Sequence, residues 1–161
     1  MQRREFNRHL QRSALALALA ALEAEARRGR PIGAAWLIYL PLIMPQVAFM
    51  PGLQVMALHL GAKGSAATVA AAHLIFVLPY VWLSLAPAFR GWDGRIGLTA
   101  AAMGTKPARI FWRLRLPMLL APLLTALAVG MAVSVGQYLP TLMLGGGRVE
   151  TLTTEAVALF A

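Results

Sequence analysis

Few side chains in this 161-residue chain are of a type and spacing that could make or break a bond. Histidines stand at His9, His59 and His73, and no two of them lie at metal-ligand spacing, so each reads as a packed or interfacial ring. Ser84 and Ser134 lack the strand–turn–helix context of an activated nucleophile. There is no cysteine, which excludes a thiol nucleophile, a disulfide framework and a Cys-based metal site. Gly145-Gly146-Gly147 is not a phosphate loop, because no Gly-Lys-Ser/Thr follows; it reads as a flexible external connector. No catalytic residue, metal or cofactor is expected, and energy for any work must come from a partner chain. What remains is polar chemistry without bond making. Gln46, Gln54, Gln137 and Tyr138 lie in or beside apolar runs, where polar groups are costly and default to functional candidates. They are candidates to line a passage, with anchoring of a helix end as the plainer reading of Gln137-Tyr138.

The densest pattern runs over residues 98–117, LTAAAMGTKPARIFWRLRLP. Ala100, Ala101 and Ala102 would let a helix lie close against a partner surface. Gly104 is placed to end that helix, since glycine accepts the left-handed C-cap conformation without strain. Pro107 suits the first turn of a second helix, where its missing N–H costs nothing. Leu116-Pro117 marks the return to an apolar run. The apolar stretches on either side are about long enough to cross a bilayer. A cationic helix–turn–helix between two such spans is expected on the cytoplasmic side.

This segment resembles the cytoplasmic loop of ABC importer permeases, the binding-protein-dependent (MetI-like) inner-membrane components. Their pattern is Glu-Ala-Ala, three residues, Gly, then a fixed interval to Leu-Pro. Gly104 and Leu116-Pro117 stand at that interval, and Pro107, Phe111, Trp112 and Arg113 agree with commonly seen residues. The acidic first position falls on Leu98 and the first alanine on Thr99, and both depart from the pattern. The resemblance implies that Leu98, Thr99, Ala100, Ala101, Met103, Gly104, Pro107, Leu116 and Pro117 belong to a coupling loop, residues 90–117, that docks on an ATP-binding ABC subunit. It also implies a periplasmic substrate-binding protein, and a second permease half or subunit, as partners. A solvated basic loop is the bland alternative.

Composition agrees with a membrane protein. Hydrophobic residues make up 59% and charged residues only 13%, with a mean hydropathy of +0.66. A soluble domain is nearer half apolar and about a quarter charged. The net charge of +9 is confined to two stretches. Residues 1–30 hold seven arginines and three glutamates, residues 90–116 six cations and Asp93, and the remainder balances to zero. Such confinement is topological information, and no nucleic-acid signature accompanies it. Both basic stretches are expected inside, with the turns at Lys63 and Arg148 outside. Membrane lipid is then a partner.

Along the chain, residues 1–30 admit three readings: a signal peptide, an amphipathic surface helix, or the end of a truncated membrane helix. The run 14–22 is too short to span a bilayer by itself. Residues 31–161 are expected to form the partial permease domain. Within it, 31–60 carries Pro41, Pro45, Pro51 and Gly52, so a kinked span or a span plus a short helix is expected. Residues 66–89 form a second span with Tyr80 and Trp82 at headgroup level near its inner end. Residues 118–135 form a third, with small residues suited to close packing in lipid. Residues 134–141 and 145–157 resemble the C-terminal half of fused two-half permeases assigned to thiamine, ferric-iron or related uptake. The expected fold is all-α, a polytopic transmembrane helical bundle with an incomplete MetI-like core, in a bacterial inner membrane. The chain looks like a fragment that would not transport by itself. The expected function is solute import, and the alternative is a non-transporting helical scaffold or regulatory protein.

Overall fold

A computed structural model of the chain describes residues 2–28, 35–149 and 151–160. The expected start of the first apolar segment at Pro31 lies outside the described residues. All regular structure among the described residues is helical, and the fold is an all-α bundle. Helix α1 (Gln2–Arg28) is followed by a 3-10 turn (Ala35–Tyr39), α2 (Leu40–Ile43) and α3 (Gln46–His59). Then come α4 (Ala66–Arg90), α5 (Gly94–Ala102), α6 (Pro107–Ile110), a π turn (Phe111–Arg115) and α7 (Leu116–Met118). The chain closes with α8 (Leu120–Val135), α9 (Tyr138–Gly145) and α10 (Leu152–Phe160).

The bundle is built around α4, which packs against α8 and α1. Ser65 caps it by accepting a hydrogen bond from the Thr68 N–H at 3.1 Å. Its apolar side chains face inward on two sides and fill both core clusters. By length and composition α4 is able to cross a membrane. Two further spans exist if each bent pair counts as one: residues 36–43 with α3, bent by 111°, and residues 107–118 with α8, bent by 68°. The first bend follows from Pro45, which N-caps α3 and has no N–H to continue α2. The expected break within 31–60 is therefore sharper than a kink. Where α8 crosses α4, Gly130 lets the backbones approach: a Cβ there would sit 3.1 Å from Val81 Cγ2.

Contacts along the bundle fix its directions. The Phe6 ring lies 5.8 Å from the His73 ring at one end of the α1–α4 pair, and Glu25 meets Arg90 at the other. Helices α1 and α4 therefore run the same way, with α8 opposed, since Asn7 meets Ser134 and Glu23 meets Arg115. The expectation that all of residues 1–30 share a side with the 90–116 loop is corrected by this geometry. Only the C-terminal end of α1 reaches the loop. Eighteen residues of helix, about 27 Å, separate Asn7 from Glu25. The short apolar run 14–22 is the middle of one long helix. Its buried stripe of Leu10, Ala14, Ala18 and Leu22 continues into polar Asn7, Gln11 and Glu25. Two other expectations differ. Trp82, expected as an interfacial ring, is turned inward and wholly buried in the core, while Tyr80 is exposed. The Gly145–Gly147 connector is a packed helix end: Gly145 is buried against Val69 and Val149, and Gly146 and Gly147 take φ of 54° and 76°.

Candidate functional site

The loop between α4 and α8 protrudes as a pair of short helices. Asp93 caps α5 by accepting from the Arg95 N–H at 2.9 Å. At the other end Gly104 takes φ 79°, its N–H donates to Ala101 O at 2.9 Å, and the Thr105 N–H donates to Ala100 O at 3.0 Å. This is a Schellman termination, and it needs the left-handed residue that glycine supplies. Pro107 opens α6 as its first residue. The chain then widens into the π turn, where the Leu116 N–H reaches back to Phe111 O. Pro117 explains the widening, because it has no N–H to donate to Arg113 and its ring crowds that carbonyl.

Exposure separates the loop residues. Leu98, Thr99, Ala101, Met103, Gly104, Pro107 and Pro117 face outward, while Ala100 and Leu116 are half-buried. Leu98 is 72% and Met103 81% exposed, unusual for large apolar side chains on a charged loop. A groove of about 470 Å³ opens between the loop and the end of α1, lined by Glu23, Pro107, Ala108, Phe111 and Trp112. The roots of the loop are tied down by Arg90 and Arg115, which pair with Glu25 and Glu23. Sequence reasoning missed these partners. The only signal available was a pair of carboxylates two residues apart in an otherwise basic segment.

The four polar candidates divide. Gln46 Nε2 donates to Gln137 Oε1 at 2.6 Å, joining the start of α3 to the break between α8 and α9. The Gln137 carbonyl accepts from Thr141 Oγ1 at 2.9 Å, and that hydroxyl meets His73 Nε2 at 2.9 Å. These contacts make one neutral chain from α3 through α9 to α4, with His73 packed as expected for a lone histidine. Tyr138 begins α9 half-buried. Gln54 lies eight residues further along α3, about 12 Å from Gln46, and is half-buried. Asn7 and Gln11 add polar contacts from α1, to Ser134 at 3.4 Å and to Met131 Sδ at 2.8 Å. Among the described residues no three His, Cys, Asp or Glu side chains converge as a metal site would require. The arrangement offers a run of neutral hydrogen bonds inside the bundle and an exposed apolar surface at one end.

No protein-family model matches the chain. Individual proteins do. Over 124 residues, 77% of this chain, it is 44% identical to the inner membrane ABC transporter permease protein YnjC of Escherichia coli (strain K12). Over 70% of its length it is 32% identical to the molybdenum transport system permease protein ModB of Mycobacterium bovis and of Mycobacterium tuberculosis. The matched part is 24% of YnjC and 47% of ModB, so the chain spans about a quarter to a half of the curated relatives it matches. With apolar, membrane-compatible helices, the chain is similar to a stretch of these ABC transporter permeases over part of their length.

Proposed function

We propose that this chain is a multi-pass permease portion of an ATP-binding-cassette importer of a bacterial inner membrane, passing a small solute inward without changing it chemically. The observation that carries the reading is the exposed α5–Gly104–α6 helix pair at the bundle's end, on a chain similar to named permeases. On this reading the loop is cytoplasmic. A separate ATP-binding subunit seats on Leu98, Ala101 and Met103, and ATP hydrolysis belongs to that partner. A periplasmic solute-binding protein and a second permease half complete the machine. The neutral chain Gln46–Gln137–Thr141–His73 lies where helices α3, α4 and α9 meet. Polar groups there would lend a solute path hydrogen bonds without a fixed charge.

The test places single cysteines in the assembled transporter, which the cysteine-free chain makes clean. Ala101→Cys and Met103→Cys are expected to crosslink to the ATP-binding subunit. Gly104→Val should leave membrane insertion intact and uncouple ATP hydrolysis from uptake, because a β-branched residue cannot readily hold φ 79°. Parental uptake by Gly104→Val, with no crosslink at either position, would sink the assignment.

A further inference from the structure

Four side chains from three separate stretches of sequence converge where the loop joins the bundle. Glu25 of α1 accepts from Arg90 Nε at 2.7 Å and from Arg90 Nη2 at 3.2 Å. Glu23 accepts from Arg115 Nη1 at 3.0 Å. Arg90 is the last residue of α4 before the loop, and Arg115 ends the π turn that leaves it. Two carboxylates on one helix therefore hold both roots of one loop. The roots also hold each other: the Arg115 guanidinium lies 3.9 Å from the centre of the Phe89 ring and 5.8 Å from that of Trp92. The Glu25 side chain is 9% exposed and that of Arg115 14%, so each pair has one largely buried member. Removing the partner of such a member leaves a charge without compensation. The two-point grip of Glu25 on Arg90 fixes direction as well as distance.

We infer that Glu23 and Glu25 are positioning residues, a double carboxylate latch that fastens the coupling loop to α1. The inference rests on the coupling-loop reading above. Displacement of the loop by its ATP-binding partner is then passed through both arginines to α1. From α1 it spreads along the Leu10–Leu22 stripe to α4 and α8. Without the latch, the partner still docks on α5 and hydrolyses ATP, and the loop moves while the bundle stays.

The experiment uses the assembled transporter in lipid, with ATP plus vanadate as the probe, so no solute need be known. Spin labels at Ala20→Cys on α1 and Leu58→Cys on α3, both exposed positions, report bundle movement. Ala101→Cys crosslinking and ATP hydrolysis report docking. The parent is expected to shift its label distance on trapping. In the Glu23→Gln, Glu25→Gln pair the shifted fraction should fall roughly five-fold or more, the lower end of coupling between linked sites, with crosslink and hydrolysis retained. Combining Glu25→Arg with Arg90→Glu, and leaving Glu23 in place, should recover most of the shift. A parental shift in the glutamine pair overturns the latch. So does a glutamine pair that fails to insert together with a swapped chain that recovers nothing. An Ala101→Cys parent that does not crosslink strikes instead at the coupling-loop reading beneath it.

Discussion

Glu25 and Arg90 meet 2.7 Å apart at one end of the bundle, while Gln46 and Gln137 meet 2.6 Å apart toward the other. The distances are alike and the chemistry is not. At the loop end the polar ties are ion pairs, and Arg90 keeps 47% of its side chain exposed. Toward the far end the ties are neutral amide, hydroxyl and imidazole contacts among buried or half-buried groups. Burying an ion costs far more than burying an amide that finds a partner. Charge is thus held where water still reaches one partner, and neutral hydrogen bonds serve where it does not. The difference also separates tasks: charged ties are strong and directional, while neutral ties hold helices without committing a fixed charge to the interior.

The sharpest way to break this comparison is to put charge at the neutral end. His73→Lys is expected to destabilise the folded chain by up to about 3 kcal/mol, the scale of a cation placed at membrane depth. Thermal unfolding in detergent and membrane-inserted yield would read it, and an unchanged melting point would mean that the neutral end is open to water. Next comes the crossing the two ends share. Gly130→Val should cost about 2 kcal/mol by overpacking against Val77 and Val81, and Val81→Ala in the same chain should return part of it. At the charged end Glu25→Gln is expected to lower stability by only about 1 kcal/mol, discounted because Arg90 is half exposed. Raising the salt concentration should erase part of the difference between that variant and the parent, whereas a salt-independent difference would show the pair to be sealed from solvent. The smallest effect is expected for Gln46→Leu, about 0.6 kcal/mol, typical of a hydrogen bond between membrane helices. Its loss should not change with salt, and salt sensitivity there would dissolve the contrast between the ends.

The loop could be read from sequence because its signals are local. Gly104 has to solve a backbone problem at its own position, and Pro107 is preorganised for a first helical turn wherever it occurs. The same holds for α4, whose apolar run is continuous. Glu25 and Arg90 are 65 residues apart, and Glu23 and Arg115 are 92 apart. No spacing rule links such partners, so the glutamates read only as entries in a charge balance. The direction of α1 was hidden for a related reason. Its basic start suggests an inside location by the same rule that places the loop, but the helix is long enough to carry that start to the opposite end. Trp82 shows the limit of the aromatic-belt rule, which knows a residue's depth along a helix and not which face it occupies. Gln46 and Gln137 were each singled out from polarity alone, but their pairing depends on a 111° bend that sequence announces only as prolines.

The wide turn at Phe111–Arg115 has a consequence for how loops of this kind can vary. In an α-helix each residue advances the side chains by about 100°, so the turn acts as a phase adapter between α6 and the bundle. Removing a single residue from it, with Pro117 replaced by alanine as well, would let the backbone close to ordinary α-helical pitch and leave both flanking helices intact. Each residue of so wide a turn advances by only about 80°, so five of them cover nearly the angle of four α-helical ones, and everything upstream, from α5 through Gly104, would keep its facing. Length is therefore separated from aim: the turn lets the loop carry one residue more, with the groove-lining Phe111 and Trp112 among its members, without redirecting the protruding pair.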